Sequence, residues 1–229
     1  MLDINIHKTI LLRILKNIYS DSALSSILGF KGGTAAYFFY ALGRFSVDLD
    51  LDLLDESKEQ LVFERIKKIV SEFGVVKEAT KKRNTILFVL SYSDQAQNIK
   101  VEISRRNFGS RYELKSYLGI SMYVMIKEDM FAHKLVAMLE RGGKTHRDIF
   151  DVWFFLKNNW SVNEGIIKKR TNLGLKQFLE KCVGILEGMS DRNILSGIGE
   201  LLDQKQKAWV KANLRKDTIF LLKLKGSIA

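Results

Sequence analysis

Three aspartates occupy alternate positions of one predicted strand, where their spacing suits the binding of a hard cation. In residues 46–54, Asp48, Asp50 and Asp52 alternate with aliphatic residues. Side chains two apart in an extended chain point to the same side, roughly 6–7 Å from each other. Like charges at that distance repel one another unless a cation neutralises them. Mg²⁺, which binds a few carboxylates together with substrate phosphates, is the predicted ion. The alternative is a solvent-facing acidic strand.

A fourth acid lies on another predicted strand. The segment IKVEIS, residues 99–104, carries Glu102 among apolar residues. A neighbouring strand in the same sheet could place this carboxylate beside the aspartate row. We therefore predict that Glu102 supplies a further ligand to a metal held by the aspartate row.

A glycine-rich turn precedes the acidic strand. Gly32, Gly33 and Thr34 come before a predicted helix over residues 35–42, which Thr34 is predicted to cap, and Lys31 and Arg44 flank this segment. Glycine lets the backbone approach a phosphate closely, and a helix N-terminus offers N–H groups and partial positive charge. A turn, a short helix and an acidic strand in succession predict a site that holds a triphosphate and a metal together. An ordinary turn is the alternative.

Two charged clusters occur on consecutive predicted helices downstream. Lys134 and Arg141 are seven residues apart and share a helix face, while Asp148 and Asp151 fall in the first turn of the next helix, beside Arg147. These residues suit a phosphate contact by Lys134. Alternatively, Arg141–Asp148 or Arg147–Asp151 ion pairs simply join the two helices.

Hydrophobic periodicity divides the chain into a mixed part and a helical part. In the first part it predicts helices over residues 4–19, 21–29, 35–42 and 57–73, and strands over 46–54, 75–77, 85–92, 99–104 and 122–126. In the second part it predicts helices over 127–140 and 145–157, with two or three more between 163 and 225. We therefore predict an α/β domain over 1–120 and a helical domain over 121–229.

Composition narrows the class of protein. The 229 residues carry a net charge of +11, which favours a polyanionic partner, although a solvated lysine-rich surface gives the same charge. Cys182 is the single cysteine, so no internal disulfide can form and a zinc site of the cysteine type is excluded. No apolar run is long enough to cross a bilayer. The N-terminus is predicted to be an amphipathic helix rather than a signal peptide, so we expect a cytoplasmic protein with no membrane partner.

Three blocks of the sequence resemble the AbiEii/AbiGii toxin family, which is part of the DNA polymerase β-like nucleotidyltransferase superfamily. They are FKGGTAA with GRFSVDLDL, the strand at 99–104, and AHKLVAMLERGGKTHRDIFDVWFFL. The resemblance implies an α+β protein, with a nucleotidyltransferase-fold mixed sheet and flanking helices followed by a C-terminal helical bundle. It also implies an enzyme that transfers a nucleoside monophosphate from an NTP to an acceptor, releases pyrophosphate and uses two Mg²⁺ ions.

The resemblance assigns roles to individual positions. Asp48 and Asp50 match the metal-binding pair, and Glu102 matches the third carboxylate, which is expected to act as the base, although the family usually has aspartate there. Asp52 has no counterpart. The predicted nucleotide-binding residues are Lys31, Gly32, Gly33, Thr34, Arg44, Ser46, Lys134, Arg147, Asp148 and Asp151, and Lys134 is also predicted to be catalytic.

Family members are typically toxins of toxin–antitoxin or phage-defence modules, so a separate antitoxin protein is an implied partner. The tRNA 3′ end is the predicted acceptor, with RNA contacts sought at 81–83, 105–106 and 165–181, where simple solvation is the alternative. A protein or small-molecule acceptor stays open. So does a non-catalytic nucleotide-binding interaction protein.

Overall fold

The computed structural model describes residues 3–94 and 97–228. They form two compact units, which are described separately. Unit 1 comprises Met1–Ala41, Phe45–Asn107 and Arg111–Met125, and unit 2 comprises Leu42–Arg44, Phe108–Ser110 and Ile126–Ala229. That the segments 1–120 and 121–229 fold as domains stays a prediction.

The described strands of unit 1 are β1 (Leu28–Lys31), β2 (Leu49–Leu53), β3 (Val75–Lys82), β4 (Thr85–Ser91), β5 (Ile99–Ser104), β6 (Tyr112–Tyr117) and β7 (Ile120–Met125). They form a seven-stranded mixed sheet in the order β3-β4-β5-β2-β1-β7-β6. Interior strand β1 runs antiparallel to β2 and parallel to β7, and β2 runs parallel to β5.

Strand alternation gives this sheet one apolar face. Leu49 and Leu51 in β2 are fully buried, whereas Asp50 between them is half-buried. On the apolar face, Phe88 of β4 meets Phe63 of helix α3 (Glu59–Ser71) with ring centroids 5.3 Å apart. Helix α1 (Ile4–Ser20) buries its own apolar stripe in the same unit and contacts α3. The polar face of the sheet therefore carries the acids.

Two predictions around the glycine turn are wrong. Residues 21–27 form turns that lead into β1, so no helix reaches Gly29. Helix α2 spans Gly32–Phe39 rather than 35–42, with Lys31 as the N-cap, so Thr34 lies in the first turn and does not cap. The glycines are thus the first residues of the helix itself.

Unit 2 contains α4 (Lys127–Glu140), α5 (His146–Lys157), α6 (Glu164–Thr171), α7 (Leu175–Glu187) and α8 (Gln204–Ser227). These helices pack together around aromatic residues, among which Phe155 stacks on Trp160 with ring centroids 4.1 Å apart. The predicted α+β class, a mixed sheet followed by packed helices, is confirmed. Within residues 3–94 and 97–228, no helix is both long and apolar enough to cross a bilayer.

Candidate active site

The sheet register brings acids from two strands together. Asp50 in β2 is the direct partner of Glu102 in the parallel strand β5, so both side chains point to the polar face. Asp48, one position before β2, accepts a hydrogen bond from the Lys100 amide at Oδ1, with a distance of 3.2 Å. Asp48, Asp50 and Glu102 are all half-buried. The predicted carboxylate cluster therefore lies on one face of two adjacent strands.

The glycine turn begins directly beside these carboxylates. Gly32 has φ +80° and follows Lys31, which is the register partner of Asp50. A Cβ on Gly32 would lie 2.8 Å from the Asp50 Cβ and 2.9 Å from its Cγ. Gly32 is thus required by a left-handed backbone and by the closeness of Asp50. Thr34 is fully buried and its hydroxyl donates to the Asp48 carbonyl oxygen. Helix α2 and the first aspartate are therefore tied together.

The start of α2 suits an anion. Its N-cap, Lys31, has an extended backbone, and among the described residues no side chain supplies the capping hydrogen bond. An eight-residue helix with no side-chain cap leaves its first N–H groups to be satisfied by water or a ligand. This is the geometry expected of a phosphate-binding helix start.

Asp52 differs from the other two aspartates because it is buried, at 7% exposure. It accepts hydrogen bonds from the Lys31 ammonium, 2.5 Å away, and from the Tyr112 hydroxyl. The lysine predicted to contact phosphate is thus held by an aspartate to which no role was assigned. Tyr112 was missed entirely, because a tyrosine on a polar edge strand gives no signal in the sequence.

In unit 2, Lys134 lies between two buried aspartates. Its Nζ is 3.0 Å from Asp148 Oδ1 and 3.0 Å from Asp151 Oδ2. Burial would lower the pKa of Lys134, but the facing charges of Asp151 and Asp148 outweigh it and raise that pKa. The side chain keeps 17% exposure, whereas the aspartate side chains keep 2% and 0%. The ammonium is therefore charged and is held by both aspartates.

Two arginines complete the same cluster. Arg44 binds Asp151 through two parallel hydrogen bonds, Nε–Oδ1 at 2.6 Å and Nη2–Oδ2 at 2.7 Å. Arg141 donates to Asp148 Oδ2 at 2.7 Å. Burial would raise the pKa of Asp148, but Lys134 and Arg141 together lower it. The alternative Arg141–Asp148 pair is thus present, while Asp151 pairs with Arg44 and Lys134 rather than with Arg147.

This cluster changes the interpretation of several predicted nucleotide contacts. Asp148 and Asp151 are buried, and their carboxylates pair with the cations of this cluster, which gives them a structural role. The Arg44 guanidinium is buried against Asp151. Arg147 is half-buried on α5. Ser46 is 6% exposed in the loop before β2. Contact between these residues and a nucleotide stays a prediction.

The basic segments predicted to bind RNA are partly occupied within the protein. Arg105 donates to Glu59 at 2.5 Å and to the carbonyl oxygens of Lys82 and Arg83, and Lys81 is 3.5 Å from Glu59. Arg105 therefore stabilises the turn between β3 and β4, which is a structural role. The lysines of residues 165–181 are exposed.

The acids on the polar face fit a divalent metal by donor chemistry. Asp48, Asp50 and Glu102 offer hard oxygen ligands, and the missing Cβ of Gly32 lets the Asp50 side chain lie against the start of α2. Within the described ranges, no group of three or more His, Cys, Asp or Glu side chains is already close enough to hold an ion. Such a set suits Mg²⁺, which usually keeps several waters and takes the remaining oxygens from substrate phosphates.

Solved structures share this fold. The chain is similar to the crystal structure of JHP933 from Helicobacter pylori, with a TM-score of 0.55, 19% identity and coverage of 100% of this chain and 97% of that one. It is also similar to a candidate nucleotidyltransferase from H. pylori, with a TM-score of 0.57, 21% identity and 96% coverage of both chains. No curated protein sequence matches the chain.

A mixed sheet that sets acids beside a glycine-rich helix start is the arrangement expected of a nucleotidyltransferase. Residues 13–197 match the family model described as nucleotidyl transferase AbiEii toxin, type IV toxin–antitoxin system. The chain therefore belongs to the AbiEii family of nucleotidyltransferase toxins, as its sequence blocks predicted. Membership implies an NTP substrate, a metal and a cognate antitoxin.

Proposed function

We propose that this toxin is a Mg²⁺-dependent enzyme that transfers a nucleoside monophosphate from an NTP to the 3′ end of tRNA. The observation that carries the proposal is the junction of α2 with β2. There the Thr34 hydroxyl donates to the Asp48 carbonyl oxygen, and the Asp50 side chain lies against Gly32. The helix start proposed to bind phosphate therefore lies beside the carboxylates proposed to bind the metal.

The α2 start would hold the triphosphate of the NTP. Backbone N–H groups of Gly32, Gly33 and Thr34 lie in the first turn, where the helix carries partial positive charge. Lys31 adds an ammonium at the N-cap position. Such donors are placed before the substrate arrives, so they stabilise the negative charge that develops on the phosphates without reorganisation.

Asp48, Asp50 and Glu102 would hold the Mg²⁺ ions, which supply charge neutralisation and orient the attacking and leaving oxygens. In the reaction, an acceptor hydroxyl oxygen forms a bond to the α-phosphorus while the bond from that phosphorus to the bridging oxygen of the β-phosphate breaks. Glu102 would accept the hydroxyl proton, and pyrophosphate leaves with the bonding electron pair. That Lys134 contacts the phosphates stays a prediction.

Charge favours a nucleic acid as the acceptor. The net charge is +11, and Lys168, Lys169, Lys176 and Lys181 are exposed within α6 and α7 of unit 2. Lysine-rich surfaces bind structured RNA mainly through its phosphates, which carry most of the affinity and make it salt-dependent. A tRNA ends in a free 3′ hydroxyl, which is the group that the reaction consumes.

The test is transfer of label from each α-³²P-labelled NTP to purified tRNA in MgCl₂. Intact tRNA is compared with tRNA whose 3′ ribose has been oxidised by periodate and no longer offers the hydroxyl. The Asp48→Asn/Asp50→Asn variant is the inactive control. Asp217→Asn, which removes an exposed acid on α8, is the matched control for loss of negative charge.

Label that enters intact tRNA, fails with oxidised tRNA and disappears with the double variant supports the proposal. Label found only on protein or a small molecule replaces tRNA with that acceptor. Equal labelling by the double variant and by wild type would show that these carboxylates are not the metal ligands.

A further inference from the structure

Asp52 has both carboxylate oxygens engaged within the protein. Oδ1 accepts from Lys31 Nζ at 2.5 Å, and Oδ2 accepts from the Tyr112 hydroxyl. The residue is 7% exposed. Asp52 is thus more enclosed than Asp48 and Asp50, which are half-buried.

The backbone makes room for this arrangement. Gly29 in β1 is the direct partner of Asp52 in β2. A Cβ on Gly29 would lie 2.7 Å from Cδ1 and 2.8 Å from Cζ of the Tyr112 ring. The ring therefore lies across Gly29, where only glycine fits, and its hydroxyl reaches Asp52 from edge strand β6. Gly29, Tyr112 and Asp52 therefore form one packed and hydrogen-bonded group.

Lys31 connects this group of three residues to the predicted phosphate site. It is the partner of Asp50 in the β1–β2 register and the N-cap residue of α2. Its side chain keeps 25% exposure, so the ammonium is held and yet accessible. A free lysine side chain samples many rotamers and loses that freedom when it binds a ligand. A lysine already fixed by a charge-assisted hydrogen bond loses less.

We propose that Asp52 and Tyr112 are positioning residues that hold the Lys31 ammonium where it contacts the triphosphate of the nucleotide. This inference rests on the proposed function and deepens it. The row of three aspartates is then divided by role. Asp48 and Asp50 bind the metal, whereas Asp52, which also accepts a hydrogen bond from Tyr112, holds Lys31.

The test measures NTP affinity by calorimetry with CaCl₂ in place of MgCl₂, and the half-saturating Mg²⁺ concentration by transfer assay. The variants are Asp52→Asn, Lys31→Gln, Tyr112→Phe and the double variant Lys31→Gln/Asp52→Asn. Losing one charge-assisted contact should weaken NTP binding by about 3- to 30-fold for Lys31→Gln and Asp52→Asn. It should weaken binding less for Tyr112→Phe. Because both residues act as one unit, the double variant should bind as Lys31→Gln does.

The half-saturating Mg²⁺ concentration should be unchanged in all of these variants, and nucleoside binding without phosphates should be unaffected. Additive losses in the double variant, or a Mg²⁺ requirement raised by Asp52→Asn alone, would overturn the positioning role while leaving the proposed function intact. If wild type binds no NTP, the proposed function fails and this inference with it. If Asp52→Asn does not fold, the NTP affinities of Tyr112→Phe and Lys31→Gln, which both keep Asp52, test the proposal instead.

Discussion

Replacing Asp151 with asparagine tests the charge cluster of unit 2. Asp151 is fully buried and binds Arg44 through two hydrogen bonds and Lys134 at 3.0 Å. The Asp151→Asn substitution keeps the shape of the side chain and removes its charge. The Arg44 guanidinium, with 2% exposure, then stays in the protein interior without its countercharge.

Breaking a buried ion pair from one side costs about 3–5 kcal/mol, since the remaining charge stays desolvated. In a chain of this length, 1 kcal/mol corresponds to roughly 2–4 °C in Tm. We therefore expect Asp151→Asn to lower Tm by about 6–20 °C. Arg141 belongs to the same cluster but has 55% exposure, so Arg141→Gln is the matched control. It should cost about 0–1 kcal/mol, as exposed ion pairs do.

Thermal unfolding followed by circular dichroism at 222 nm measures both variants under one buffer condition. Chemical unfolding in urea checks the order of the two free energies. If Asp151→Asn is as stable as Arg141→Gln, Asp151 does not act as the countercharge of buried Arg44, and the structural role assigned to Asp151 is wrong.

Three further predictions concern unit 1. Gly32→Ala should lower transfer activity strongly and cost more than the about 1–2 kcal/mol expected from its φ of +80°, because the new methyl overlaps Asp50. Gly119→Ala, with φ +78° and no atom near the added methyl, should cost only about 1–2 kcal/mol and leave activity unchanged. Equal activities of the two variants would show that the contact between Gly32 and Asp50 does not matter for the reaction. Burial lowers the pKa of the His7 imidazole, although the bond to Val47 opposes this. The unfolded state then binds the proton more readily, so wild type should lose stability as pH falls below about 6.5, and His7→Gln should lose less between pH 7.5 and pH 5 in urea unfolding. Gly29→Ala should lower stability by about 1–3 kcal/mol because the new methyl overlaps the Tyr112 ring, and the same change should cost less in a protein that already carries Tyr112→Ala.

Part of the candidate active site could be predicted from local pattern alone. Strict alternation in residues 49–53 fixed Asp50 and Asp52 on one face, because a strand has a period of two. Helix α4 has the predicted bounds Lys127–Glu140, since its buried residues recur at helical spacing. These features depend on neighbours in sequence, which the sequence displays directly.

Contacts between distant residues could not be predicted in this way. Arg44 and Asp151 are 107 residues apart, and nothing local marks either as the other's partner. Strand β6, Tyr112–Tyr117, was missed because it is a polar edge strand whose pairing with β7 holds it in place. The helix predicted over 21–29 was wrong because Leu28–Lys31 is too short to show alternation and is fixed by strands on both sides.

The hydrogen bond from Thr34 to the Asp48 carbonyl oxygen has a thermodynamic consequence. It joins the segment proposed to receive the anion to the segment proposed to receive the cation, so ordering of one restrains the other. We expect NTP and Ca²⁺ to raise each other's affinity by the same factor, as reciprocal linkage requires. Titrating each ligand at several fixed concentrations of the other measures that factor. In Thr34→Val, the part of the cooperativity that passes through the protein should disappear, leaving only the direct attraction between the two ligands.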